Sequence, residues 1–244
     1  MFKFFRRLRK KLFAENRPGK YLLYAFGEII LIVAGILVAV QIGNWNQNKK
    51  DINEEAVVLS RISEELGSNL ERIDWFIQGF KRKDNAMDRV SMVFKGKPVE
   101  TDSLFLGDIV VSATFGWTVQ SLQHLIYDEL NNTGKLALVR KIELRNSITE
   151  LYNSIQVFEG TALARRSEYS NIVYYLVPKE TELRLQTGLN TFEHKEITKA
   201  VLDSDLDSQI IFEQNRTRYL LNMWNTLKKS ITKVKSEIET ELDK

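Results

Sequence analysis

The feature that most constrains this chain is an apolar run near its start, YLLYAFGEIILIVAGILVAVQI, which covers the 22 residues Tyr21–Ile42. At about 1.5 Å per residue, a helix of this length spans roughly 33 Å, enough to cross the hydrocarbon core of a bilayer. Tyr21 and Tyr24 lie at one end and Trp45 lies just beyond the other, where aromatic residues mark membrane boundaries. The run therefore predicts a transmembrane helix over residues 21–45.

A cleaved signal peptide is the competing interpretation of the same run. Its apolar region would have about 7–15 residues and would end in small residues at the cleavage site. Here the run is longer and continues into VQIGNWNQNKK, which has no convincing small-x-small step. An uncleaved anchor is therefore favoured.

The positive charge of the chain is concentrated before this run. Residues 1–20 hold eight Lys and Arg against one Glu, a net charge of +7, and because the whole chain carries +3, the remainder carries −4. The positive-inside rule then predicts a cytoplasmic N-terminus, an inner-membrane location and a periplasmic body over residues 46–244. Basic residues interleaved with aromatic ones occur only in this leader, so nucleic-acid binding by the body is not expected.

Two interpretations of the leader, residues 1–20, stay open. Phe2, Phe5, Leu8 and Leu12 recur at helical spacing between cations, which favours a basic amphipathic helix on the anionic inner leaflet. The same sequence also suits a plain topology signal. In both cases the residues predicted to lie at the inner leaflet are basic: Arg6, Arg7, Arg9, Lys10 and Lys11.

The body of the chain, residues 46–244, has the pattern of an all-α domain. Apolar residues recur at steps of three and four from Leu59 to Phe80, and again along a last helix predicted from about Leu206 to Leu242. Between them the sequence predicts a loop over Lys95–Ser103, shorter helices with a C-terminal cap at Gly134, a helix end before Pro178, and a polar loop over Lys179–Glu193. The predicted fold is one transmembrane helix and an extracytoplasmic bundle of four or five helices, with the first and last long helices paired.

The sequence offers little for catalysis. It has no cysteine and two histidines, and it lacks phosphate-binding glycine loops and the common hydrolase and metalloprotease motifs. His124 and Asp128 are spaced for a pair on a helix surface, and the carboxylates Glu54, Glu55, Glu64, Glu65 and Glu71 have the pattern of a solvated helix face. We therefore expect no enzyme activity, no cofactor and no metal.

Small residues in the apolar run indicate a helix-packing face. Gly35, Ala39 and Gly43 recur every four positions, a spacing that lets two membrane helices approach closely. At about 100° per residue, Glu28 lies within about 20° of both Gly35 and Ala39 around the helix. The lone carboxylate and the small residues are thus predicted to share one face.

Three interpretations of Glu28 remain. It could snorkel or be protonated at the inner interface, it could hydrogen-bond across a helix–helix contact, or it could relay protons as in stator subunits of the Tol/Exb/Mot type. The first two are favoured. Stators are similar in architecture only, because their essential acid is usually Asp and no peptidoglycan-binding pattern occurs here.

Two segments carry a resemblance to a known family. FFRRLRKKL…ENRPGKYLLYAFGEIILIVAGILVAVQIGNWNQ, and especially Lys20–Ile29 and Asn44–Asn46, resembles the start of a family of uncharacterised single-pass membrane proteins of Bacteroidetes-type bacteria. The later YDELNNTGKLALVRKIELRNSITELY, residues Tyr127–Tyr152, is similar to a middle segment of the same family. The resemblance implies a membrane protein and assigns no activity.

The function expected from these patterns is that of a non-enzymatic membrane protein that acts through protein–protein contacts. Its partners are predicted to be the membrane and either further copies of the chain or another membrane protein. Two alternatives stay open: a periplasmic ligand-sensing module that signals through a partner, and an ion-coupled stator-type subunit that uses Glu28.

Overall fold

The structure, a computed structural model, describes residues 18–114, 121–163, 167–177 and 191–244, which form seven α-helices, one 3-10 turn and no β-strand. The helices are α1 (Pro18–Phe94), α2 (Asp102–Thr114), α3 (Leu125–Asn132), α4 (Ile142–Leu163), α5 (Glu168–Leu176), α6 (Thr191–Leu202) and α7 (Leu206–Leu242), and the 3-10 turn covers Lys135–Leu138. The predicted all-α fold class is confirmed. The chain divides into two compact units, one ending at Glu55 and the other beginning at Ala56, and α1 supplies residues to both.

The described helices outnumber the four or five that the sequence predicts. One reason is α6, which begins at Thr191, inside the segment Lys179–Glu193 that the sequence predicts to be a polar loop. In addition, the 3-10 turn Lys135–Leu138 precedes α4, which begins at Ile142. Short helices with few apolar residues give weak periodicity, and only their packing makes them stable.

Glycines end two of the helices as the sequence predicts. Gly96 and Gly134 have φ values of 96° and 71°, in the left-handed region that side chains with a Cβ rarely adopt. After α1, the N–H of Lys97 donates to Met92 O at 3.0 Å, which closes the last turn and starts the predicted loop. After α3, the N–H of Gly134 donates to Asn131 O at 3.2 Å.

A first apolar core fills the second unit between α1, α3, α4 and α7. It contains the predicted stripe of α1, and α1 pairs with α7 as expected. It also contains the inner face of α4, which the apolar spacing of Leu144, Ile148, Leu151 and Ile155 predicts. At its centre Trp224 of α7 stacks on Phe76 of α1, with ring centroids 4.7 Å apart, and meets the edge of Phe158 of α4. This core joins the first and last long helices to α3 and α4.

A second apolar core lies between α2, α5 and α6 and the adjoining ends of α1 and α7. Its contributions from the two long helices are Met87 and Val90 of α1 and Leu206 and Ile210 of α7. Among the described residues, α1 and α7 are the elements that supply side chains to both cores.

The buried stripe of α7 differs from the predicted one. The sequence predicts Gln214, Met223 and either Tyr219 or Leu220 on it. Of these the structure buries Leu220, together with the predicted Ile210 and the predicted residues from Leu227 to Ile238, and it buries Glu213, Thr217 and Trp224 in addition. Two polar residues on the core face interrupted the apolar pattern and shifted the predicted stripe. Glu213 is buried because it meets an equally unpredicted buried cation, Lys83 of α1.

Candidate functional site

The first candidate site is the apolar window of α1. It is the one candidate membrane span found in the described residues, by length and composition, with a mean hydropathy of 2.4 over 18 residues and none of that window buried. Side chains pointing in all directions around the helix are exposed, including Leu31, Val33 and Leu37. Within the described part of the structure, the window therefore has no buried side chain.

The predicted packing face lies along this window. Ala39 is exposed and Glu28 is partly exposed. A Cβ added to Gly35 or Gly43 would meet no atom within 4 Å. Packing within the chain therefore does not require small residues at these positions.

Of the predicted membrane-boundary residues, the structure describes the side chain of Trp45 alone. Trp45 is exposed, and Lys49 Nζ lies 4.2 Å from the centroid of its ring, within reach of a cation–π interaction. The side chains of Tyr21 and Tyr24 lie outside the described residues, and so do the leader residues Arg6, Arg7, Arg9, Lys10 and Lys11. Their proposed places at the membrane stay predictions.

The second candidate site is a set of polar side chains on α1 that bind residues Ser121–Glu129. This segment contains the chain before α3 and the first residues of α3. Asn69 is central to it: its Oδ1 accepts from the N–H of Gln123, and its Nδ2 donates to Gln123 O, both at 2.7 Å. Arg61 Nη2 donates to Glu129 Oε2 at 2.6 Å, and Arg72 Nη1 donates to Ser121 O at 3.3 Å. These side chains lie on one face of α1. We call them, together with Glu65, the seat, whose members are Arg61, Glu65, Asn69 and Arg72.

Glu65 is the buried carboxylate of the seat, only 3% exposed. Its Oε2 accepts from the N–H of Ile126 at 2.8 Å and its Oε1 accepts from Tyr152 Oη at 2.6 Å. Since α3 has no side-chain cap from its own N-cap residue His124, this carboxylate satisfies an otherwise open N–H and sits favourably at the positive end of the helix. Burial, and then the hydrogen bond to Glu65, raise the pKa of Tyr152, so that it stays a protonated donor.

The interpretation of Glu65 and Glu55 as part of a solvated face is therefore wrong, because both are buried. The spacing of Arg61, Glu65, Asn69 and Arg72 was the available signal. These residues recur at steps of four and three beside the apolar stripe, as a helix edge that faces a neighbour would.

The predicted pair of His124 and Asp128 is confirmed. His124 Nδ1 lies 2.6 Å from Asp128 Oδ2, on the outer side of the segment held by the seat. The hydrogen bond to Asp128 raises the pKa of His124, and the charges of Asp128, Glu159 and Glu65 act in the same direction. In the described part of the chain, no cluster of three or more His, Asp or Glu side chains has the arrangement of a metal site.

The pattern of one protein family matches residues 28–163, more than half of the chain. The chain belongs to the family of unknown function DUF6090. The DUF6090 region begins at Glu28 and ends with the last residue of α4, so it contains both candidate sites and excludes α5 to α7. No curated protein and no solved structure matches the chain.

Family membership confirms that the chain belongs to an uncharacterised family, while the Bacteroidetes-type source and the leader signature stay predictions. Within the DUF6090 region, the segment that carried the middle part of the resemblance is structural. Tyr127 stacks on Tyr152 with centroids 4.1 Å apart, Leu130 and Leu136 are buried, and Gly134 turns the chain. This segment builds the first core and the seat.

Proposed function

We propose that this DUF6090 protein is a non-enzymatic protein anchored in the bacterial inner membrane, with a cytoplasmic N-terminus and a periplasmic helical unit. The observation that carries the proposal is the apolar window of α1, none of which is buried among the residues that the structure describes. A helix that is apolar all round needs an apolar surrounding, which a bilayer supplies. The basic leader supports the orientation.

The proposed mode of action is contact with other proteins, beginning with further copies of the same chain. Gly35, Ala39 and Gly43 place small side chains along one side of the window, and no described atom lies within 4 Å of a Cβ added at Gly35 or Gly43. A second helix can approach such a small-residue face closely. Because Glu28 lies on the same side of the helix, its carboxyl group can form a hydrogen bond within that contact. We therefore propose a parallel oligomer joined through this face.

Cysteine labelling tests the orientation, because the chain has no cysteine of its own. A membrane-impermeant maleimide applied to intact cells with a permeabilised outer membrane should label the Ser103→Cys variant. The Arg9→Cys variant should react only after the inner membrane is opened. The opposite order, or labelling of both variants in intact cells, would contradict the proposed topology.

Crosslinking in the membrane tests the oligomer. Gly35→Ile and Ala39→Leu should each reduce the crosslinked dimer by fivefold or more, on the order of 1 kcal/mol of helix–helix contact. Ala34→Ile is the matched control, because Ala34 is also small but lies about 120° from Glu28 around the helix. Equal dimer in all three variants would exclude this face as the contact.

Glu28→Gln separates this proposal from the ion-coupled alternative. Gln keeps the shape and hydrogen-bonding capacity of Glu28 and removes its ability to carry a proton. A variant that complements a deletion strain as well as the wild type supports a packing role. Complete loss of complementation with unchanged crosslinking would favour the stator-type alternative.

A further inference from the structure

A layer of charged and polar side chains separates the two apolar cores of the second unit. On α1 it lies between Phe80 of the first core and Val90 of the second, and on α7 it lies between Leu220 and Ile210. We call this layer the polar belt and define it by its members Lys83, Asp84, Asp88, Glu213, Gln214 and Arg218.

The centre of the polar belt is a buried ion pair. Lys83 Nζ lies 2.5 Å from Glu213 Oε1, and the two side chains are 1% and 2% exposed. Arg216 approaches the same carboxylate at 3.4 Å. Burial lowers the pKa of Lys83, and the charge of Glu213 opposes that shift. Removing two charges from water cancels much of their attraction, so such a pair links two helices more weakly than packed apolar side chains of the same volume.

The outer part of the polar belt consists of ion pairs and a hydrogen bond nearer the protein surface. Arg218 bridges Asp84 at 2.9 Å and Asp88 at 3.0 Å, and Gln214 Nε2 donates to Asp88 Oδ1 at 2.5 Å. Exposed ion pairs of this kind contribute little to stability because water competes for both partners. At the level of the polar belt, α1 and α7 are therefore held in register by directional contacts that add little apolar burial.

The helices on the two sides of the polar belt pack with their own neighbours. α2 packs against α5 and α6, and α5 also packs against α6 and α7, whereas α4 packs against α7 and α3 against the 3-10 turn. α2, α5 and α6 have 13, 9 and 12 residues, too short to be stable in water without the second core. They are expected to lose their structure together when that core opens.

We propose that the polar belt is a conformational device that allows the end of the unit formed by α2, α5 and α6 to open as one body while the first core stays folded. The device limits cooperativity between the cores, because the two helices they share meet there through the buried Lys83–Glu213 pair. It gives the periplasmic unit a movable end whose opening does not require the first core to unfold.

Hydrogen exchange of the full-length protein in detergent, followed by mass spectrometry, tests the device. In the wild type at pH 7, peptides from α2, α5 and α6 should exchange together, with protection about tenfold or more below that of α4. In the Lys83→Met/Glu213→Leu double variant, apolar side chains join the two cores, and the gap should shrink to about threefold or less. A gap that stays unchanged in the double variant overturns the proposal.

Two further measurements keep the test decisive. Asp74→Asn/Lys228→Gln removes an ion pair of 2.5 Å between the same two helices, but at a half-exposed position beside the first core, so the gap should persist. If the gap in protection disappears in this control variant, the polar belt does not have the proposed role. If the double variant does not fold, exchange of the wild type in low denaturant decides: two sets of amides with different denaturant dependence support the device, and a single set contradicts it.

Discussion

One helix, α1, carries apolar side chains in two patterns with opposite outcomes. In the window they surround the helix and none is buried, whereas from Val58 to Phe80 they form a stripe and nearly all of them are buried. The polar residues between the stripe positions make the difference: they leave one apolar side, which other helices of the unit can cover. The window has no polar side, so covering it requires a surrounding medium or several partners. The predictions that follow test this contrast.

The largest effect is expected at the centre of the first core. Trp224→Ala removes a ring that is packed between Phe76 and Phe158 and should lower the free energy of unfolding by about 3–5 kcal/mol. The measurement is urea denaturation of the protein in detergent, followed by circular dichroism. Leu37→Ala in the window removes a large apolar side chain that is exposed in the structure. It should leave the urea midpoint unchanged, and an equal loss in both variants would contradict the contrast.

A charge in the window should act on membrane insertion and leave the folded unit intact. Val33→Arg is expected to cost about 2.5–3.5 kcal/mol of insertion and to move most of the chain into the carbonate-soluble fraction. Val57→Arg lies on the same helix, at an exposed position of the second unit. It should leave the protein in the carbonate-resistant fraction and change the free energy of unfolding by no more than about 0.5 kcal/mol. Carbonate-resistant Val33→Arg protein would argue against a span at this position.

The seat should respond to a change of one atom. Glu65→Gln replaces one carboxylate oxygen by an NH2 group that faces a donor, either Tyr152 Oη or the N–H of Ile126, and should cost about 1–3 kcal/mol of stability. The matched control is Glu64→Gln on the neighbouring position, which is expected to stay within about 0.5 kcal/mol. If the two variants unfold at the same urea concentration, Glu65 does not hold α3.

The smallest predicted effect is a pH dependence that comes from His124. Its pKa is raised in the folded state by the hydrogen bond to Asp128, so its stabilisation is fully present below the unfolded value of about 6.5 and is lost as the pH rises through the folded pKa. His124→Gln should therefore cost stability at pH 5.5 and nothing at pH 9. The difference between urea midpoints at these two values measures it, and a difference that is larger at pH 9 would contradict the assignment.

Sequence periodicity was sufficient wherever apolar residues alone form the buried face. The bounds of α7, the stripe of α1 and the inner face of α4 follow from it, and glycine at 96 and 134 ended helices as expected. It failed where a polar residue lies on the core face. Lys83 and Glu213 are buried only because each supplies the other with an opposite charge, a condition that no local pattern reveals.

The two candidate sites also differ in how far the sequence alone could predict them. The packing face of Glu28, Gly35 and Ala39 stays a prediction, and spacing alone is enough to make it because it concerns one side of a single helix. The seat could not be predicted, because Glu65 and Asn69 bond to backbone groups of a segment more than fifty positions away. Only the packing of the helices brings those groups together.

The most direct test of the account compares two positions of α1 with equal exposure in the chain. Leu37 is 62% exposed and Val57 is 60% exposed, so a water-soluble maleimide should react equally with Leu37→Cys and Val57→Cys if water surrounds both. In native membranes we predict rapid labelling of the Val57→Cys variant and at least tenfold slower labelling of the Leu37→Cys variant, because the bilayer hydrocarbon excludes the reagent. Equal labelling rates would contradict the central claim that the window of α1 lies in the membrane.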